Sequence, residues 1–551
     1  MRTHIWTILA ILTTVLAASG LYLATTDVSQ PVGIVVPHHD MVAPARAAYM
    51  AKVAQKWQPE TIIIISTDHF NTNAESIVAA DKVWTTQHGD LETNSSLLNR
   101  LKIPVDTNSF GGEHGITTLL NNTKEFFPES QIIAIKMNRS ATFSEVESFV
   151  NTLYQECATC LFMASVDFSH SVTAEIADLH DTLTLRELER VNPVTLYKNA
   201  ETDSPETLAA LALWADKHQA HRFSLFTHTN SGFIAKRSVG EITSHIIGGY
   251  YKGKKSTTEA NTLTLLVAGD TMFARGVTTG SLDPFAKLGD RFFWGTDIAL
   301  LNLEGVFFEE TSKAGWYELP PVFRFDPKYV QSLAKQRITH VALDNNHSFD
   351  GGDAGIAFTM KTLRGQGITP VGQPEQADGV ALYEQGETKL AIIAEGTHAT
   401  TKDLAPLIMQ YTNEGRRVVI YAHWGLEYQN VHSAAQEEQA KHWIDAGADL
   451  IIGSHPHVFQ DVGVYKGVPI IYSLGNFLFD QKQSVETQIG AVLGARFDLE
   501  GIVLFLTPIK SYLTPEVLPE EQSSLLVKQW TEPWLVYQTS RSHFYFPSTV
   551  N

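Results

Sequence analysis

The feature that most constrains this chain is an alternation that runs twice. Short β-branched runs of strand length, at Gly33 to Val36, Thr61 to Ser66, Gln131 to Lys136 and Leu161 to Ser165, are spaced by longer amphipathic stretches such as Ala43 to Lys56. The polar stretch KGKKSTTEAN at 252–261 has no apolar periodicity and interrupts the pattern. The alternation then restarts with Leu263 to Ala268 and continues through Asp297 to Leu303, Ile338 to Leu343, Leu390 to Ala394, Arg417 to Tyr421, Asp449 to Ile452 and Val468 to Tyr472. Repeated strand and helix patterns of this kind are the mark of α/β construction. Two α/β domains in tandem are therefore expected, at 31–251 and 262–515, with 252–261 as the linker. The remaining 516–551 is rich in aromatics (Trp530, Trp534, Tyr537, Phe544, Phe546) and lacks strand periodicity. It is expected to dock as an extension on the second domain, or to present a surface to an envelope partner.

A chain of 551 residues with 44% apolar content can bury a core in each domain, which excludes disorder and fibrous classes. The net charge is −19, and the only basic cluster noted is the short pair Lys254 and Lys255. Such a surface repels a phosphate backbone, so nucleic acid is not an expected partner.

From Ile5 to Ala24 runs an uncharged apolar stretch of twenty residues behind Arg2. That length spans a bilayer, and the basic flank stays cytoplasmic. Residues 1–28 thus read as a signal anchor or, with Ala17, Ala18 and Ser19 as a small-residue cleavage site, a signal peptide. Both domains are then extracytoplasmic, on a single-pass membrane protein or a secreted or periplasmic one. The two cysteines, Cys157 and Cys160, read as a small structural disulfide or two buried thiols rather than a redox pair.

In the second half, polar residues gather where each strand stops: Asp270, then Asn302 and Glu304, then Asn345, Asn346 and His347, then His423, then His455 and His457. The carboxyl ends of strands form the ligand rim of open α/β sheets. Carboxylate, amide oxygen and imidazole together suit two adjacent divalent ions of the Mn, Fe or Zn type. Two ions about 3.5–4 Å apart clamp the attacking and leaving oxygens of a phosphoester, which makes its hydrolysis the natural reaction class.

The motifs GDTM at Gly269, NLEG at Asn302, NNHSFDGG at Asn345, HWGLEY at His423, IIGSHPHVFQ at Ile451 and YSLGNFLFD at Tyr472 resemble those of the CapA family. That resemblance implies a calcineurin-like metallophosphoesterase fold and a link to poly-γ-glutamate capsule synthesis. It implies that Asp270 and Glu304 hold or bridge metal, that Asn346, His423, His455 and His457 are further ligands, and that His347 contacts the leaving group. Asp270, His423 and His347 are the implied catalytic set. Asn302, Asn345, Asn476 and Glu427, with Tyr428, are expected around them as orienting or substrate-contacting groups. The general metallophosphoesterase pattern opens with Asp-x-His, whereas Asp270 is followed by Thr271 and Met272.

The first half repeats the logic with fewer groups. His38 and His39 close one strand, Asp68 and His69 another, Glu113 and His114 follow a Gly-Gly turn, and Asp167 and His170 close a third strand. Two histidines, an acidic residue and a third histidine suit a mononuclear non-haem iron site; a purely structural role for them is the other reading. PHHD, STDH, EHG and VDFSH resemble elements of the Memo-like family (AmmeMemoRadiSam system protein B), which shares its fold with extradiol dioxygenases. The resemblance implies His38 and His69 as metal ligands, with Glu113, His114, Asp167 and His170 lining the site. The family's third ligand is a Cys, where this chain reads Thr202-Asp203-Ser204-Pro205-Glu206. Either Asp203 or Glu206 restores a set of two His and one carboxylate, or the metal is lost.

The expected protein is therefore envelope-associated, with a CapA-like metal-dependent phosphoesterase domain, two divalent ions there, possible iron in the first domain, and capsule or envelope polymer synthesis machinery as partner. A metal-binding assembly or polymer-binding module without turnover is one alternative. Dioxygenase-like activity in the first domain is another.

Overall fold

The computed structural model describes residues 30–71, 74–255, 261–277, 283–308, 322–372, 379–396, 403–540 and 542–548. The expected anchor or signal at 1–28 and residues 256–260 of the linker lie outside them. Among the described residues, no helix is long and apolar enough to cross a membrane. The chain divides into two compact α/β units, Met1–Ala260 and Asn261–Asn551.

The first unit carries strands β1 (Pro31–Val36), β2 (Thr61–Thr67), β3 (Ile77–Ala80), β4 (Trp84–Thr86), β5 (Gly89–Leu91), β6 (Gln131–Met137), β7 (Leu161–Ser165), β8 (His170–Val172), β9 (Arg222–Asn230) and β10 (Ile242–Tyr251). Its main sheet runs β3-β6-β2-β7-β1-β10-β8, with β9 on β10. The β6-β2-β7-β1 centre is parallel, and β10 turns the edge antiparallel. Strand β2 explains the layering. Its run TIIIIST is buried throughout, as a parallel strand covered on both faces must be. Ile63 and Ile65 join the core under the helices Phe143–Glu156 and Pro205–Lys217, while Ile62 and Ile64 join the core under Ala43–Ala54 and His114–Phe126. Each of these isoleucines is fully buried and contributes about 2–3 kcal/mol of transfer free energy. Cys157 and Cys160 form a disulfide just past the helix Phe143–Glu156.

The second unit carries β11 (Leu263–Thr271), β12 (Ile298–Leu303), β13 (Val306–Phe307), β14 (Arg324–Phe325), β15 (His340–Ala342), β16 (Thr369–Val371), β17 (Val380–Gln385), β18 (Thr388–Glu395), β19 (Arg417–His423), β20 (Ala448–Ser454), β21 (Val462–Tyr465), β22 (Val468–Ile471), β23 (Asn476–Leu478), β24 (Ile489–Phe497), β25 (Gly501–Lys510), β26 (Glu516–Val517) and β27 (Phe544–Pro547). They form two large sheets, β16-β15-β12-β11-β24-β25-β26 with β23 and β27 attached, and β17-β18-β19-β20-β22-β21. One apolar core, including Leu265, Leu300, Ile392, Tyr421, Leu450 and Leu493, draws on both sheets. The second sheet's other face is covered by the helices Ala405–Asn413 and Ala434–Asp445.

Two expectations change. The rim is shared between two sheets, because the antiparallel β24 and β25 extend the first sheet and leave β17 to β22 as a separate layer. The tail is not strand-free either. Phe544 and Phe546 alternate inward with Tyr545 between them, and the segment pairs antiparallel with β25. Trp534, fully buried, packs against both phenylalanines.

Candidate functional site

In the second unit, β11 ends on Asp270, and the register places it beside both Asn302 of β12 and Asn476 of β23. Glu304 follows β12, Asn345 to His347 follow β15, His423 ends β19, and His455 and His457 follow β20. The geometry gathers these into two adjoining groups.

In the first group, ligand atoms of Asp270, Glu304 and His457 lie within 4.8 Å of one another. His457 Nδ1 is 3.5 Å from Asp270 Oδ2, and its Nε2 is 3.7 Å from Glu304 Oε1. Asn476 uses its amide nitrogen on Gln481 Oε1 and the Thr487 carbonyl, so its Oδ1 accepts from His457 Nδ1 at 3.0 Å. This bond assigns the proton to Nδ1 and leaves Nε2 facing Glu304. Neither oxygen of fully buried Glu304 accepts a hydrogen bond from the described residues. An ionised carboxylate in that state is costly, and a cation is the partner that removes the cost. The residues present therefore fit a metal.

In the second group, His423 Nε2 lies 2.8 Å from Asn346 Oδ1 and 3.1 Å from His455 Nδ1. On the other ring edge, His423 Nδ1 meets Asn302 Nδ2 at 3.2 Å and Ser454 Oγ at 3.1 Å. Asn302 also donates to Asp270 Oδ1 at 2.8 Å, and the His455 backbone N–H donates to Asp270 Oδ2 at 3.1 Å. Asp270 is thus common to both groups.

The electrostatics follow from burial. Burial pushes the Glu304 carboxyl up, against His457, with Asp270 and Glu427 adding to the rise. Burial works the same way on Asp270, but His457 and His423 outweigh it and hold that carboxyl low. His457 is raised, because Glu304 and Asp270 outweigh burial, whereas burial drives His423 and His455 down. His423 and His455, held neutral beside ionised Asp270, are in the protonation states a divalent ion requires, whereas an ion in the first group would displace the proton that burial and the carboxylates keep on Glu304 and His457.

His347 borders the first group. Its Nδ1 binds Asp350 Oδ2 at 2.8 Å, its Nε2 stands 4.0 Å from Glu304 Oε1, and its ring stacks on Phe323 at 4.1 Å. Asn345 accepts from the His347 backbone N–H and donates to Asn302 Oδ1, tying two strand ends together. Glu427 acts electrostatically on Glu304, His455 and His457. Tyr428 receives a bond from Gln481 at 3.2 Å, and its ring lies 6.0 Å from that of His457. His455 and His457 take φ values of 96° and 59°, a conformation costing about 1–3 kcal/mol each and typical of functional turns. Sequence reasoning left Asp350, Ser454 and Phe323 unassigned. Asp350 lies inside the quoted NNHSFDGG run, three residues past His347, and that spacing was the available signal.

In the first unit, His38, His69 and His114 form one close set and His38, Asp167 and Asp203 another. Glu113, the N-cap of the helix His114–Phe126, binds His69 Nδ1 at 2.5 Å. Asp167 Oδ1 accepts from the backbone N–H groups of His38 and His39. The backbone N–H of His170 donates to Glu201 at 3.0 Å. Asp203 is the oxygen of its segment that reaches the histidines, 3.2 Å from His38 Nε2 and 3.5 Å from His69 Nε2.

Residues 264–481 match the family described as bacterial capsule synthesis protein PGA_cap, and residues 8–243 match the Memo-like protein family. The chain is a Memo-like and CapA-like fusion. Its CapA-like part is 29% identical over 220 residues to the PGA biosynthesis protein CapA of Bacillus subtilis (strain 168), covering 34% of this chain and 58% of that protein. It is 30% identical over 263 residues to the capsule biosynthesis protein CapA of Bacillus anthracis, covering 40% of this chain and 61% of that one. The Memo-like part is 25% identical over 178 residues to a MEMO1 family protein of Pyrobaculum arsenaticum, covering 30% of this chain and 63% of that protein. The chain thus spans about three-fifths of the length of these curated relatives.

Proposed function

We propose that the CapA-like unit is a metal-dependent phosphoesterase serving capsular or envelope polymer synthesis, of poly-γ-glutamate type, outside the cytoplasmic membrane. The observation that carries the reading is buried Glu304, with no hydrogen bond on either oxygen from the described residues, beside Asp270 and His457. Asp270, Glu304 and His457 would hold one divalent ion of the Mn, Fe or Zn type, and Asn346, His423 and His455 a second, with Asp270 between them. Such ions, when bound, supply Lewis-acid stabilisation and an activated water for hydrolysis of a phosphoester. The chain's own residues do the rest. Asn476 and Asn302 fix the orientation of His457, Asp270 and His423. His347, braced by Asp350, presents its Nε2 edge to the site and can pass a proton to a leaving oxygen. Glu427 and Tyr428 would contact the substrate. A metallophosphoesterase-like fold for this unit, and an extradiol-dioxygenase-like one for the Memo-like unit, belong to the same proposal.

The apolar run from Ile5 to Ala24 supports membrane attachment or export, and the Cys157–Cys160 disulfide suits an oxidising compartment. The polymer assignment rests on the names of the CapA relatives. Those names speak of biosynthesis rather than hydrolysis, which favours one second reading: a metal-dressed module that holds polymer or assembles a synthase without turnover. Hydrolysis of bis(p-nitrophenyl) phosphate by the full chain, stripped and reloaded with Mn(II), separates them. Inertness under metal saturation sinks the esterase reading.

A further inference from the structure

Arg275 lies just past the end of β11 and takes a φ of 49°. A residue other than glycine enters that left-handed region at a cost, and such positions gather at functional sites. The Arg275 Nη2 donates to Asp480 Oδ1, and Asp480 Oδ2 accepts the Gly276 N–H. One carboxylate past β23 therefore fixes both the side chain and the turn that carries it. Phe323 and Phe479 flank the guanidinium, their ring centroids 4.8 and 5.5 Å from its carbon. The same two rings meet the metal rim: Phe323 stacks on His347 at 4.1 Å, and Phe479 lies 4.9 Å from His457. Arg275 thus stands one aromatic ring away from both imidazoles, and with its side chain 24% exposed it is open to solvent there.

A tie between two loops accounts for the Asp480 bond but not for where the positive charge falls. Burial raises the Glu304 carboxyl and the Tyr428 phenol, and the Arg275 charge works against both rises. The bare rim also carries Asp270, Glu304 and Glu427, carboxylates that repel an incoming anion. A guanidinium is always charged, and its planar fork of N–H donors matches the oxygens of phosphate and carboxylate. We propose that Arg275 is a substrate-binding residue that holds an oxyanion at this rim, either the phosphoryl oxygens of an ester or the carboxylate of an acidic polymer unit. Asp480 orients the fork, and the two phenylalanines keep water from its faces, which strengthens a bond made at its edge. This role rests on the metal-dependent phosphoesterase reading of the same rim.

The test is calorimetry on the full chain, loaded with Mn(II), freed of excess metal and titrated with inorganic phosphate and separately with glutarate. Every chain also carries His38→Ala, so that an ion in the Memo-like unit adds no anion binding of its own. Arg275→Gln should bind phosphate, glutarate or both at least about tenfold more weakly than the parent, with Mn(II) content unchanged. A loss confined to phosphate assigns the phosphoryl oxygens, and a loss confined to glutarate assigns a carboxylate. Unchanged affinity for both anions, a parent that binds neither, or Mn(II) lost together with the anion overturns the inference. Should Arg275→Gln not fold, Arg275→Lys keeps the charge beside Asp480 and decides: a loss of about threefold or more supports the inference, and unchanged affinity overturns it. Turnover of bis(p-nitrophenyl) phosphate is read alongside. Anion binding that depends on Arg275 in a chain that cuts nothing sinks the esterase reading and leaves this inference standing.

Discussion

Asn476 Oδ1 accepts a hydrogen bond from His457 Nδ1 at 3.0 Å, and the asparagine's own amide nitrogen is pinned by Gln481 and Thr487. The side chain of β23 therefore sets which nitrogen of His457 faces Glu304. Orienting partners of this kind are worth about 10–100-fold in metal affinity. Asn476→Ala should weaken Mn(II) binding by that factor in calorimetry while leaving the circular dichroism of the chain unchanged. Wild-type affinity in the variant would remove Asn476 from the site.

Asp350 braces His347 at 2.8 Å. If His347 handles the leaving-group proton, Asp350→Asn should lower kcat on an alkyl phosphodiester by about 10²-fold with KM little changed. A leaving group that needs no proton, such as p-nitrophenolate, should suffer less than an alkoxide. Equal losses on both would contradict the assignment.

Gly269 lets β11 pass β23. A Cβ there would lie 1.9 Å from the Gly475 carbonyl oxygen, which also accepts the Asp270 N–H. Backbone cannot yield as a side-chain tip does, so Gly269→Ala should cost about 3 kcal/mol or more. Gly365, at the end of the helix Gly352–Gly365, has open space around its missing Cβ. Gly365→Ala should leave stability unchanged or raise it by up to about 1 kcal/mol. Thermal unfolding of the pair checks the contrast.

Burial raises the Asp449 carboxyl to about 6, against the backbone N–H of Val418 and the nearby Arg417. The folded state thus keeps its proton to higher pH than the unfolded chain does. Stability from this group is full below about pH 4 and is lost as pH rises through 6. Asp449→Asn keeps an acceptor for Val418, so it should raise the unfolding temperature at pH 7.5 and change little at pH 4. A gain of the same size at both would refute the sign.

Much of this was readable in the residues, for a physical reason. Leu263 to Ala268 is apolar and ends on Gly-Asp, and Arg417 to Tyr421 ends on Ala-His, so strand ends announce themselves where polar side chains abruptly follow a buried run. What stayed hidden depends on tertiary neighbours. Ile489–Phe497 and Gly501–Lys510 are strands with nearly continuous burial, so no alternation marked them, and with them the division into two sheets was missed. Asp350 and Ser165 carry ordinary side chains whose importance lies in the imidazole each one meets. Asp203 stood out only as one of two carboxylates in its segment, and distance to His38 and His69 separates it from Glu206.

The central claim is that the rim around Asp270, Glu304 and His457 is a metal-loaded hydrolytic centre. The direct measurement is bis(p-nitrophenyl) phosphate turnover by the full chain alongside its metal content, for wild type, Glu304→Gln and His457→Ala, after reloading with Mn(II). The account predicts metal-dependent turnover in wild type, with metal content reduced and rate down at least about 10²-fold in both variants. Undiminished metal and turnover in the variants, or a metal-saturated wild type that cuts nothing, would contradict it.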